Sequence, residues 1–171
     1  MRTLRANSTL TLTATVLAAV LVVANISSLN VALPELSREL GASQSDVQWM
    51  VDIYAFFLAS LLLPAGALGD KFGRRPMLLL GVTILCIANV ATLFTEHLDF
   101  IESNEARLVI AFRALSGIGA AFIFPATLST ITTTLPPEKK ERGVAIWTAS
   151  VFFGGLSLSL IHISEPTRQA T

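Results

Sequence analysis

The sequence predicts an all-α membrane protein with about five transmembrane helices, and three observations carry that prediction. Hydrophobic residues make up 53% of the 171-residue chain and charged residues only 14%. A soluble domain carries roughly a quarter charged residues, so this chain has too little charge to solvate a globular surface. The apolar residues gather into runs at about 10–31, 48–68, 77–95, 106–130 and 143–160. At ~1.5 Å per residue these runs match the ~30 Å thickness of a bilayer's hydrocarbon core. The connections between them alternate in charge. A formal net charge of zero argues against a nucleic-acid partner, which needs a concentrated basic face.

The first run follows Arg2 and Arg5 in the manner of a signal peptide. A signal peptide's apolar region spans only about 7–15 residues, so the longer run reads as an uncleaved first helix. The sequon Asn25-Ile26-Ser27 falls inside it and is read as a chance match. Pro34 is expected to end this helix, because the residue before a proline is pushed out of the helical region. The second run, Gln48 to Leu68, leads into a charged, glycine-rich stretch from Gly66 to Arg75. Here Gly69 and Gly73 are expected to allow a tight turn, and Pro76 suits the start of the third helix. The third run, from Met77 to Thr95, contains Cys86, the chain's one cysteine. No disulfide or cysteine metal site can form within one chain, and Cys86 is expected to be a buried, inert thiol.

The fourth run begins at Ala106, and polar residues trail it as far as Leu135. Gly117, Gly119, Ala120 and Ala121 in this run are small enough to let another backbone approach closely. Pro125 is expected to bend the helix near Ala121. The fifth run extends from Gly143 to about Leu160. Trp49 and Trp147 lie near run ends, where indole rings favour the membrane interface.

Charge placement predicts an orientation. Arg2, Arg5, Lys71, Arg74, Arg75, Lys139, Lys140 and Arg142 fall on one side. The other side carries Arg38 and Arg107 among Glu35, Glu39, Asp46, Glu96, Asp99, Glu102 and Glu105. By the positive-inside rule the amino terminus is cytoplasmic, in a multi-pass protein of the cell membrane. His97, in an acidic outer connection, reads as solvated.

Asp52 and Arg113 are the full charges well inside the spans, and each costs at least ~2.5–3.5 kcal/mol there. Counted from the run ends, Asp52, Arg113 and Asn25 lie at similar depths, roughly 6–11 Å below the outer boundary. The functional reading is a water-filled cavity in which Asp52 attracts cations or carries a proton and Arg113 tunes it. The structural reading is a buried ion pair or hydrogen bond that holds helices together, with Asn25 as interhelical glue. Shared depth leaves helix rotation open.

These residues carry a resemblance. Gly66, Leu68, Asp70, Lys71, Gly73, Arg74 and Arg75 match Gly-x-Leu-x-Asp-Arg/Lys-x-Gly-Arg-Arg/Lys, the signature between helices 2 and 3 of the major facilitator superfamily. Val109 to Ala121 resembles the family's helix 4 motif in Arg113, Gly117, Gly119, Ala120 and Ala121, with Ser116 where a glutamine is often found. Asn30-Val31-Ala32-Leu33-Pro34 resembles the helix 1 ending of the drug:proton antiporter branch with fourteen helices. Trp49 to Tyr54, followed by Leu63-Pro64, resembles its helix 2. The resemblance covers about residues 10–157.

The resemblance implies an alternating-access, proton-coupled exporter of cationic or amphipathic drugs, similar to quaternary-ammonium exporters. Asp52 takes the helix 2 acidic position that such exporters use for cations, and Asp70 the position that latches onto the other half of the transporter. Asn25 and Ser27 stand where an aspartate and a threonine are common, which leaves the number of exchanged protons open. No cofactor or metal is implied beyond the proton gradient, and the partners are the lipid bilayer and a small cationic or amphipathic substrate.

The Gly-Pro-x-x-Gly-Gly of the family's helix 5 does not appear after Trp147. Residues 1–158 therefore read as the amino-terminal part of a truncated major facilitator domain whose remaining helices are missing, and 159–171 as a non-native read-through tail. His162, Glu165 and Arg168 are accordingly given no function. No nucleophile with a base, phosphate-cradling loop or metal-ligand cluster is read, so the chain is not expected to be an enzyme. The alternatives are a carrier of another small solute, such as a sugar or metabolite, and a short non-transporting membrane scaffold or regulator.

Overall fold

A computed structural model of the chain describes residues 8–39, 41–94 and 105–163. The expectations for Arg2, Arg5, Thr95, His97 and the end of the tail from Ser164 fall outside them. The described chain forms α1 (Ser8–Glu39), α2 (Gln44–Phe72), α3 (Arg74–Leu93), α4 (Glu105–Thr134) and α5 (Pro137–Ile163). Among the described residues four helices, α1 to α4, are long and apolar enough to cross a membrane. The expected fifth run is helical too, within an α5 whose first turns carry Glu138, Lys139, Lys140, Glu141 and Arg142.

The first correction concerns Pro34, which lies inside α1 rather than at its end. A proline removes one amide donor from the helix ladder, a loss that helices within membranes tolerate. The stop comes at Gly41, with φ +54°. The Ala42 amide reaches back to the Ser37 carbonyl at 3.1 Å, the six-to-one bond of a Schellman cap with glycine in the left-handed region. Helix α2 then starts four residues before its apolar run. The Ser43 hydroxyl accepts from the Asp46 amide at 3.2 Å and the Asp46 carboxylate accepts from the Ser43 amide at 3.1 Å, a capping box that satisfies two end donors.

The turn between α2 and α3 is also tighter than expected. Gly66 to Phe72 stay helical, Gly69 is buried within α2, and α3 resumes at Arg74. Gly73 alone makes the reversal, at φ +95°, a conformation that side chains beyond glycine rarely adopt. Pro76 sits in the first turn of α3, where a missing amide donor costs nothing.

The chain divides into two compact units, with the boundaries falling inside α1 and α4. In the unit formed by residues 29–126, Leu29, Met50 and Val109 pack together with Leu33, Ala106 and Ile110. Here α4 meets both α2 and α3 through glycine. A Cβ built on Gly119 would stand 2.8 Å from the Gly81 carbonyl oxygen, and one on Gly117 would stand 2.5 Å from that of Tyr54. Helices in lipid gain little from apolar burial, so backbone approach at small residues supplies the packing instead. Cys86 is exposed on α3, not buried: Gly81, Leu85 and Ala88 form the inward stripe of this helix, and a residue one position past Leu85 is turned about 100° from it.

In the other unit, Gly143 of α5 packs on Ile131 and Leu135 of α4. The Trp147 indole donates to the Thr127 hydroxyl at 3.2 Å, so Trp147 is half-buried and ties α5 to α4. Trp49 remains 55% exposed near the start of α2.

Candidate functional site

Met50 and Tyr54 are four residues apart and share one face of α2, as Arg113 and Gly117 share one face of α4. These two faces meet. Because Gly117 lacks a Cβ, α4 closes onto the Tyr54 main chain, and Arg113, one turn earlier, is brought over α2. Its Nε donates to the Met50 carbonyl at 3.3 Å, and its guanidinium carbon lies 4.5 Å from the centre of the Tyr54 ring. Both side chains are buried, Arg113 at 6% and Tyr54 at 2% exposure. A buried guanidinium requires partners, and here a carbonyl dipole and the negative face of an aromatic ring are among them.

Asp52 does not join this cluster. It lies two positions from both Met50 and Tyr54, about 200° around the helix, so the face that carries them inward carries Asp52 outward. Its side chain is exposed accordingly. Arg113 therefore reaches α2 through Met50 and Tyr54, and similar depth does not bring the two charges into contact. Asn25 belongs to the other unit, where it is buried and its carbonyl accepts from the Ser28 hydroxyl at 3.1 Å.

Tyr54 was not singled out by the sequence, although a signal existed. It is the chain's one tyrosine, set in an apolar run and one helical turn from Met50. Its hydroxyl is also, among the described residues, the buried side-chain polar atom with no hydrogen-bond partner. Leaving such a donor unmet costs about 1–3 kcal/mol.

The second predicted site is the turn. Arg74 Nη2 donates to Asp70 Oδ1 at 2.9 Å across Gly73. Asp70 nevertheless remains 70% exposed, and a pair this open is worth only about 0.2–1 kcal/mol. The Asp70 carboxylate thus keeps most of its capacity for another partner. Lys71 leans on the Phe72 ring at 5.4 Å, and Arg75 is exposed beside them. Gly66 faces Pro125 of α4, with 3.8 Å between its would-be Cβ and the proline Cβ. Gly119 and Ala121 are buried in the packing of α4. The turn motif and the Arg113 cluster are thus both mounted on contacts between α2 and α4.

Comparison with known proteins gives a consistent result. The family model described as Major Facilitator Superfamily matches residues 15–162. The chain is 41% identical over 147 residues to the methyl viologen resistance protein SmvA of Salmonella typhimurium, covering 85% of this chain and 28% of that protein. It is 31% identical over 141 residues to the tetracenomycin C resistance and export protein of Streptomyces glaucescens, at 82% and 25% coverage. It is 34% identical over 131 residues to the multidrug efflux pump LfrA of Mycolicibacterium smegmatis, at 76% and 24%. The chain thus spans about a quarter of the length of these curated relatives.

Proposed function

Because the chain belongs to the Major Facilitator Superfamily, we propose that it forms part of a proton-coupled exporter of cationic or amphipathic drugs that works by alternating access. The observation that carries this reading is the placement of Asp52. A carboxylate on an outward face of a helix as apolar as α2 cannot be left against hydrocarbon, so that face borders a polar, water-accessible space. An acid in such a space attracts a monovalent organic cation and can exchange it for a proton. The relatives described as a resistance protein, an export protein and an efflux pump support export as the direction.

In this reading the energy source is the proton gradient, with no resident cofactor, and the protein lies in the cell membrane with its amino terminus in the cytoplasm. Arg113 serves as a fixed positive charge packed on the opposite face of α2 from Asp52, and Asn25 as a neutral polar group in the other unit. Asp70, with Gly66, Gly73, Arg74 and Arg75, forms the switch at the α2–α3 turn, where its exposed carboxylate engages a segment beyond this chain. Asp52→Asn in the full-length transporter is expected to abolish proton-driven efflux of a monovalent organic cation from membrane vesicles while expression stays intact. Unchanged efflux would remove the role given to Asp52.

A further inference from the structure

The contact between Arg113 and Tyr54 carries an inference beyond the residues named for transport. Arg113 is a charged group almost wholly withdrawn from solvent, and what holds it decides where its charge acts. The Met50 carbonyl is one partner, at a long 3.3 Å. The Tyr54 ring is another, at 4.5 Å from the guanidinium carbon, well inside the ~6 Å range over which a ring quadrupole attracts a cation. The hydroxyl of the same tyrosine has no partner, so the ring face, and not the hydroxyl, is what Tyr54 offers to Arg113. Gly117 keeps the two helices close enough for this to happen.

We infer that Tyr54 is the positioning residue of this site: its ring face fixes the Arg113 guanidinium through a cation–π contact and so sets the location of the positive charge. The inference rests on the transport reading only for its consequence, that this fixed charge is held against the helix that carries Asp52. The contact itself belongs to the chain.

The test replaces Tyr54 by phenylalanine and then by phenylalanines carrying one to four ring fluorines, with the full chain in lipid nanodiscs. Ring size is nearly constant across the series while the negative π face is progressively cancelled. The readout is exchange of the Arg113 Nε–H with water, followed by NMR on 15N-arginine-labelled protein and assigned with Arg113→Lys. Tyr54→Phe is expected to retain slow exchange. The fluorinated series is expected to show stepwise faster exchange, reaching about five- to thirtyfold at the most fluorinated ring. A flat series would overturn the inference, since a role in filling volume alone is indifferent to fluorination. Tyr54→Met, similar in bulk but without a ring, is expected to exchange as fast as the most fluorinated variant; slow exchange in this variant would also overturn it. Neither measurement requires transport. A flat series leaves the export reading standing, and a graded series in a protein that does not export removes the export reading alone.

Discussion

Alanine at Gly119 is the perturbation whose magnitude can be worked most directly from the geometry. The new Cβ would stand 2.8 Å from both the Gly81 carbonyl oxygen and the Leu85 amide nitrogen, whereas real Cβ contacts seldom fall below 3.4 Å. Both obstacles are backbone atoms, so no side chain can rotate away, and α3 and α4 must part by about 0.6 Å in a tightly packed interface. Overpacking of this kind costs about 1–3 kcal/mol, and replacing a mid-helix glycine returns about 0.5–1 kcal/mol. Taking the middle of both ranges, Gly119→Ala should therefore lose about 1 kcal/mol, a fall in Tm of roughly 2–4 °C for a chain of this length. Gly66→Ala is the internal control. Its Cβ would meet Pro125 at an ordinary 3.8 Å, so only the helix gain remains and Tm should hold or rise. Thermal unfolding in detergent micelles, followed by circular dichroism, reads both variants. A Gly119→Ala protein as stable as the parent, or a Gly66→Ala protein that falls equally far, would refute the backbone-contact argument. Gly81→Ala meets the same obstacle from the other side, with 2.7 Å to the Gly119 oxygen, so the double variant should lose less than the two singles together.

Three further predictions follow from other elements. Gly41→Ala should cost about 1 kcal/mol, because φ +54° penalises a side chain; an unchanged Tm would count against the Schellman cap. Trp147→Phe removes the donor to Thr127 and should cost about 0.5–1.5 kcal/mol in the same unfolding assay, a loss that Thr127→Val should largely mask. In the full-length transporter, Asp70→Ala should slow interconversion between inward- and outward-facing states without altering drug affinity. Single-molecule distance measurements that returned equal exchange rates would contradict that.

The sequence was most informative where composition decides the outcome. Runs of apolar residues located the helices, and the small residues of α4 pointed to close backbone approach, which Gly117 and Gly119 make with different neighbours. It was least informative where a single capping residue or the rotation of a helix decides. Pro34 looked like a stop because it weakens a helix locally, yet the stop lies at Gly41, where an actual left-handed conformation is available. The hairpin from Gly66 to Arg75 proved to be a helix extending past its apolar run, with the reversal confined to Gly73. Hydropathy marks the membrane boundary, while helix ends follow capping chemistry. Depth placed Asp52 and Arg113 in one layer, but only rotation separates Asp52 from the face shared by Met50 and Tyr54. Rotation depends on contacts from other helices, which a run of apolar residues does not encode. The pairing of Tyr54 with Arg113 was hidden for the same reason.

The claim at the centre of this account is that Asp52 exchanges a proton for an organic cation. The direct measurement is proton movement in proteoliposomes of the full-length transporter, reported by a pH-sensitive dye when a monovalent organic cation is added on one side. Proton counterflow in the parent, absent in Asp52→Asn while Asp52→Glu retains it, is the predicted result. Equal proton counterflow in the parent and Asp52→Asn proteins would contradict it.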